Sequence, residues 1–120
     1  MLTPVNLLAA ANAAGALFEY IPVGTCNGQV LHVLQAEKRT LDFHTHGDSD
    51  ELFYVIEGEF ALELDDGPVP LRQGEMIVVP RGTRHRPVCT TLVKCLLMEL
   101  DGTLNPGNTG GTYQSKKEPT

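Results

Sequence analysis

No apolar run in this sequence approaches the ~20 residues that cross a bilayer as a helix, so no membrane-spanning helix is expected. There is no CxxC pair, and the cysteines, Cys26, Cys89 and Cys95, are odd in number. A disulfide framework is therefore not expected, and a reducing cytoplasm is the simpler setting. Each cysteine reads first as a small buried hydrophobe. Basic residues are scarce: 9 Lys and Arg stand against 15 Asp and Glu, for a net charge of −6. That excludes a general nucleic-acid binder, which needs a basic face to displace counterions. Also missing are a helix-turn-helix pattern, a long internal repeat, a nucleophile signature and a separate acid–base dyad.

What is present is a soluble globular composition, 42% hydrophobic and 20% charged, over 120 residues, enough for one domain with one core. The opening "MLTPVNLLAAANAAGALF" is apolar but carries no Lys or Arg, and its first charge is Glu19, so it reads as a helix rather than a leader. Thr3 is placed to cap that helix, Pro4 suits its first position, and Gly15 marks its end.

From Val30 onwards the pattern is that of strands. "VLHVLQ" is a short apolar run and "LDFHTH" alternates. In "ELFYVIEGEFALELDD", Glu51, Phe53 and Val55 share a face, Gly58 interrupts, and Phe60, Leu62 and Leu64 resume the alternation. "DDGP" is a turn, Gly74 and Pro80 bracket a further strand, and "CTTLVKCLLMEL" is the last, with Leu92, Lys94, Leu96 and Met98 on one face. The expected fold class is all-β, a sandwich or barrel with a short N-terminal helix. The helix and lead-in occupy residues 1–29, the barrel 30–100, and a Gly-, Pro- and Thr-rich irregular tail 101–120.

Three histidines and one glutamate stand out. In a strand, His44 and His46 aim two imidazoles into the same space. Glu51 follows the polar turn "GDSD" and shares its face with apolar Phe53 and Val55, so it points inward. A buried carboxylate without a cation or donors would cost several kcal/mol by a rough estimate. A divalent metal removes that penalty, and His85, after "GEMIVVPRGTR", offers a fourth ligand.

These two segments resemble the two motifs of the cupin superfamily. The first reads His-x-His, three or four residues, Glu, six residues, Gly; the chain has His44, His46, Glu51 and Gly58 at that spacing. The second reads Gly, five residues, Pro-x-Gly, two residues, His; the chain has Gly74, Pro80, Gly82 and His85. The whole outline is similar to small stand-alone type-2 cupins, often labelled mannose-6-phosphate-isomerase-like on fold similarity alone. The resemblance implies a double-stranded β-helix, or jelly-roll barrel, holding a metal on His44, His46, Glu51 and His85. Two positions depart from the family pattern. Lys38 stands where the first motif opens with Gly, and Cys89 stands where the second ends in Asn.

Three imidazoles and a carboxylate suit one divalent Fe, Mn, Ni, Cu or Zn better than Ca or Mg. Four protein ligands leave positions open for water or substrate on a six-coordinate ion, as a metal catalyst needs. The expectation is a metal-dependent enzyme on a small organic molecule, of dioxygenase, decarboxylase, isomerase or lyase type. A non-catalytic sensing or binding module is the alternative. Glu51 is a candidate base, and Phe53, Val55 and Cys89 are candidate lining residues, although plain core packing is the first reading of Cys89. By strand parity Arg84 and Arg86 face out, and His32 is structural. The acidic "DSDE" turn and Glu57, Glu59 and Glu63 read as a solvated face. The resemblance implies a homodimer through sheet edges, and "NLLAAANAAGALF" is apolar enough to cover a neighbour.

Overall fold

A computed structural model describes residues 2–101. One short helix, α1 (Leu7–Asn12), precedes nine strands: β1 (Ile21–Cys26), β2 (Gln29–Ala36), β3 (Arg39–Thr40), β4 (Glu51–Glu57), β5 (Glu59–Leu64), β6 (Gly67–Arg72), β7 (Met76–Val79), β8 (His85–Cys89) and β9 (Val93–Leu100). The expected tail lies outside the described residues, except for Asp101.

The helix starts later than its proline and threonine imply. Asn6 caps it, its side-chain oxygen accepting from the Ala9 N–H at 2.8 Å, and the last turn closes at Ala13, short of Gly15. Asn is at least as good an N-cap as Thr, and it sits directly before the Leu-Leu-Ala-Ala-Ala run. The helix packs on β1, β2, β4 and β9. There Ala11 and Val33 are fully buried, and the Gln35 amide donates to the Ala11 carbonyl at 2.7 Å.

The strands form two antiparallel sheets, ordered β1-β2-β9-β4-β7 and β3-β8-β5-β6. The core lies between them. Phe53 and Val55 on β4, Phe60 and Leu62 on β5, Leu71 on β6, and Val93, Cys95 and Leu97 on β9 meet there in one apolar cluster. The inward face of β9 is thus the one carrying Val93, Cys95 and Leu97, while Leu96 and Met98 are only half-buried. The sheet also begins earlier than Val30, because Ile21–Cys26 pairs with β2.

The segment "LDFHTH" is not a continuous strand. Its only ladder element is an isolated bridge, in which His44 N donates to the His85 carbonyl at 2.9 Å and His85 N to the His44 carbonyl at 3.0 Å. N-terminal to His44, Leu41 N still donates to the Pro87 carbonyl of β8 at 3.2 Å, but the intervening residues form no continuous ladder. Gly58, between β4 and β5, has φ +92°, and a Cβ there would stand 2.5 Å from the Leu92 carbonyl oxygen. Only a residue without a side chain lets β4 and β9 approach this closely.

Candidate metal centre

Three local devices bring the ligands together. Glu51 is the first residue of β4 and His85 the first of β8, so each projects inward at a strand end. The bridge to His85 fixes His44. His46 is held by its own carbonyl, which accepts from Gly82 N at 2.7 Å, with Gly82 in the left-handed region at φ +82°. The "GDSD" turn is tied down rather than freely solvated. Ser49 is buried, its hydroxyl accepting from Leu100 N at 2.9 Å, and Asp50 accepts from Arg81 N at 2.8 Å.

The donor atoms of His44, His46, Glu51 and His85 lie within 4.8 Å of one another. An ion with bonds of ~2.1 Å holds donors up to ~4.2 Å apart, so the widest donor separation exceeds that span by about 0.6 Å. Nδ1 of His44 is 2.8 Å from the Asp42 carbonyl, and Nδ1 of His85 is 2.8 Å from the Thr83 carbonyl. A carbonyl only accepts, so both rings carry a proton on Nδ1 and present Nε2 inward as the atom that ligates once it is deprotonated, the orienting arrangement usual for metal-bound imidazoles.

One oxygen of Glu51 stands 3.1 Å from His46 Nε2 and 3.2 Å from His85 Nε2. Burial opposes its charge, but the two imidazoles prevail and hold the carboxyl down at about 2. Burial likewise works against protonation of His46 and His85, and Glu51 outweighs it, raising both. For His44 burial wins and the pKa falls. Nδ1 of His46 is buried with no hydrogen-bond partner, and its Nε2 meets only the Glu51 oxygen. Unpartnered buried nitrogens are uncommon and need a reason, and a cation at the shared focus supplies one. The donor set fits a divalent transition ion.

Beside the centre runs a cavity of about 50 Å³, which His44 and Glu51 line together with Phe53, Phe60, Cys89, Cys95 and other apolar groups. At ~10–15 Å³ per water, that is room for roughly four waters, the scale of a small ligand. Phe53 and Cys89 therefore reach the cavity, and Cys89 also belongs to the apolar cluster. Burial pushes its thiol up to about 11, with the Arg39 charge opposing. Val55 is fully buried in the core and is not among the lining residues. One strand step of two residues carries it past the cavity. Arg84 and Arg86 face outward, stacked on Phe43 at 4.0 and 4.4 Å and paired with Asp65 and Glu63. His32 packs against Tyr20, away from the cluster.

Glu99 was not singled out from the sequence. It is buried, one carboxyl oxygen has no partner, and burial together with the Glu51 charge raises it to about 8. The signal was available: Val93, Cys95, Leu97 and Glu99 share a parity, and three apolar members predict an inward fourth.

The cupin domain family profile matches residues 30–100. The chain belongs to the cupin family. Among curated relatives, YdbB of Bacillus subtilis is 34% identical over 82 residues, 68% of this chain and 72% of that protein. Protein SchB of Streptomyces halstedii is 46% identical over 43 residues, 36% of this chain and 31% of its own length. A 3-hydroxyanthranilate 3,4-dioxygenase of a Jannaschia species is 43% identical over 54 residues, 42% of this chain and 29% of the enzyme. The chain thus spans about a third of the length of the last two. The crystal structure of a cupin-2 domain protein from Shewanella frigidimarina superimposes with a TM-score of 0.75 at 25% identity, over 80% of this chain and 93% of that one. No described helix is long and apolar enough to cross a membrane.

Proposed function

We propose that this cupin is a metal-dependent enzyme that acts on a small, partly apolar organic molecule, with dioxygenation the first chemistry to test. The carrying observation is that four convergent donors, His44, His46, Glu51 and His85, border a small apolar cavity. The likeness to a segment of a dioxygenase supports oxygen chemistry over decarboxylation, isomerisation or lyase reactions. A divalent Fe, Mn, Ni, Cu or Zn ion, one per chain, would be held by those four residues; when bound it supplies Lewis acidity and, if redox-active, access to O2.

The chain's own contribution is to orient and to exclude water. The Asp42 and Thr83 carbonyls lock two imidazoles in the ligating tautomer. Phe53 and Cys95 from one sheet and Phe60 and Cys89 from the other form dry wall, with Cys89 kept as a neutral thiol. Glu51 is better suited to ligation than to proton transfer, because a carboxyl held at about 2 is a weak base near neutrality.

The test pairs elemental analysis of tag-free protein with O2 uptake against a panel of small phenols and enols. Near-stoichiometric metal with metal-dependent turnover supports the reading. Metal without turnover on any substrate class transfers it to a sensing module. A homodimer is part of the proposal: Met76 and Val78 on the edge strand β7 are half-exposed, as are Leu8 on the helix and Leu17 after it. Sedimentation as a monomer at micromolar concentration would end that part. Cytoplasmic residence is proposed on the absence of any disulfide among Cys26, Cys89 and Cys95.

A further inference from the structure

The three histidines of the cluster are not held alike. His44 and His85 each present Nδ1 to a main-chain carbonyl at 2.8 Å. His46 has no such partner: its Nδ1 is buried and unbonded, while its Nε2 faces Glu51. An ion at the shared focus explains Nε2, the nitrogen on the Glu51 side, and leaves Nδ1 without a reason. A ring that ligates through one nitrogen needs an acceptor at the other, which fixes its tautomer and its plane.

A second orphan lies close by. Oε1 of Glu99 is buried and also has no partner. The register places it. Leu52 pairs with Met98 and Phe53 with Leu97, so one step further along this antiparallel pair sets Glu99 opposite Glu51, and both are buried. Residues directly opposed on one face stand ~4.5–5.5 Å apart at Cβ. Glu51 is in turn the residue that meets His46, at 3.1 Å. The loop after His46 is tied to the same stretch of β9, because Leu100 N donates to the Ser49 hydroxyl at 2.9 Å. The charges of the two groups reach each other as well. Burial works against protonation of His46, and after the Glu51 contact the Glu99 charge helps to overcome it. Burial and the Glu51 charge push Glu99 up, and His46 acts against that push. Glu99 is not one of the four convergent donors, so it stands outside the cluster.

We infer that Glu99 is the positioning residue of His46: with an ion bound, its carboxylate accepts the Nδ1–H of His46 and holds the ring with Nε2 towards the ion. This rests on the metal centre of the proposed function and adds to it a residue that the ion does not touch. An imidazole N–H donates and a carboxylate oxygen accepts, so the two orphans complement each other. Each left alone is a buried polar atom of the kind that folded proteins avoid. The two atoms are unbonded here, and a turn about the Glu99 side-chain torsions brings them together.

Zinc titration against a competing chelator tests this on full-length protein, with Glu99→Leu and Glu99→Gln beside it. Nitrogen-15 NMR of the histidine rings in zinc-loaded protein supplies a second readout. The unaltered protein is expected to show a hydrogen-bonded Nδ1–H on His46. Glu99→Leu, which fills the buried position without an acceptor, is expected to lose that signal and to bind zinc about 10- to 100-fold more weakly, the usual effect of removing an outer partner. Glu99→Gln keeps an acceptor oxygen, so it is expected to keep the signal and recover part of the affinity. Zinc affinity and ring signal unchanged in Glu99→Leu would overturn the assignment and leave the metal reading standing. Equal losses of affinity in both variants, with the His46 signal intact, would overturn it too, since Glu99 would then act by charge alone. If Glu99→Leu fails to fold, the unaltered protein still decides: a His46 Nδ1–H that exchanges freely with water refutes the assignment. Unaltered protein that binds no zinc sinks the metal reading and this one with it.

Discussion

The two ends of the barrel interior are built from the same strands and do opposite things. Along β4 the inward residues run Glu51, Phe53, Val55, from ligand to cavity wall to sealed core. Along antiparallel β9 they run the other way, Val93, Cys95, Leu97, Glu99. Alternation alone sends all of these side chains inward, so depth along the strand, not parity, separates chemistry from packing. One end gains stability by dispersion and exclusion of water; the other buries four ionisable groups, His46, Glu51, His85 and Glu99, beside a half-buried His44 and accepts the penalty.

The sharpest way to break this contrast is to remove ligands. His44→Ala/His46→Ala is expected to reduce bound metal from near-stoichiometric to under about a tenth, with far-ultraviolet circular dichroism unchanged; loss of a ligand exceeds the 10- to 100-fold affinity effect of outer partners. At the packed end the outcome inverts. Gly58→Ala, which drives a Cβ against the Leu92 carbonyl, is expected to destabilise by more than ~3 kcal/mol in urea melts. Val55→Ala should cost about 2–3 kcal/mol through a cavity in the core, while metal content per folded chain holds.

Glu99 probes the boundary. Its carboxyl is raised in the folded state from 4.5 to about 8, so the folded protein binds a proton that the unfolded chain has released between those values. Stability therefore falls as pH rises through that window, and the contribution is fully present only below 4.5. In chelated protein, Glu99→Gln is expected to raise stability clearly at pH 8.5 and by little at pH 4, read as thermal midpoints across pH. An equal gain at both would show that packing, not ionisation, is responsible. The smallest effect belongs to Lys38, which has φ 54°; Lys38→Gly is expected to stabilise by about 0.5–1 kcal/mol in the same melts.

Much of this contrast was legible in the order of residues. The period-two runs of β4, β5 and β9 announce buried faces, and Glu51 inside one of them announces a buried charge. The strands that escaped notice, β1 and β6, are sheet edges carrying Pro22, Pro68 and Pro70. Proline is tolerated there because one side of the ladder is unpaired, so composition that argues against a strand in the middle of a sheet says nothing at its rim. The His44 segment misled in the other direction. Its alternation is real, but its pairing is one bridge and a single further bond from Leu41, and long-range register is not written locally.

The pair of main-chain bonds joining His44 to His85 also decides where the entropy of assembling the site is accounted for. Two ligands distant in sequence are drawn together by the sheet ladder, so the loop-closure penalty falls on folding and not on ion capture. A centre prepared in this way differs from zinc fingers, which collapse when stripped. Chelation should leave the barrel standing, with amide protons at residues 44 and 85 still slow to exchange, and an ion should be able to enter and leave without the chain coming apart.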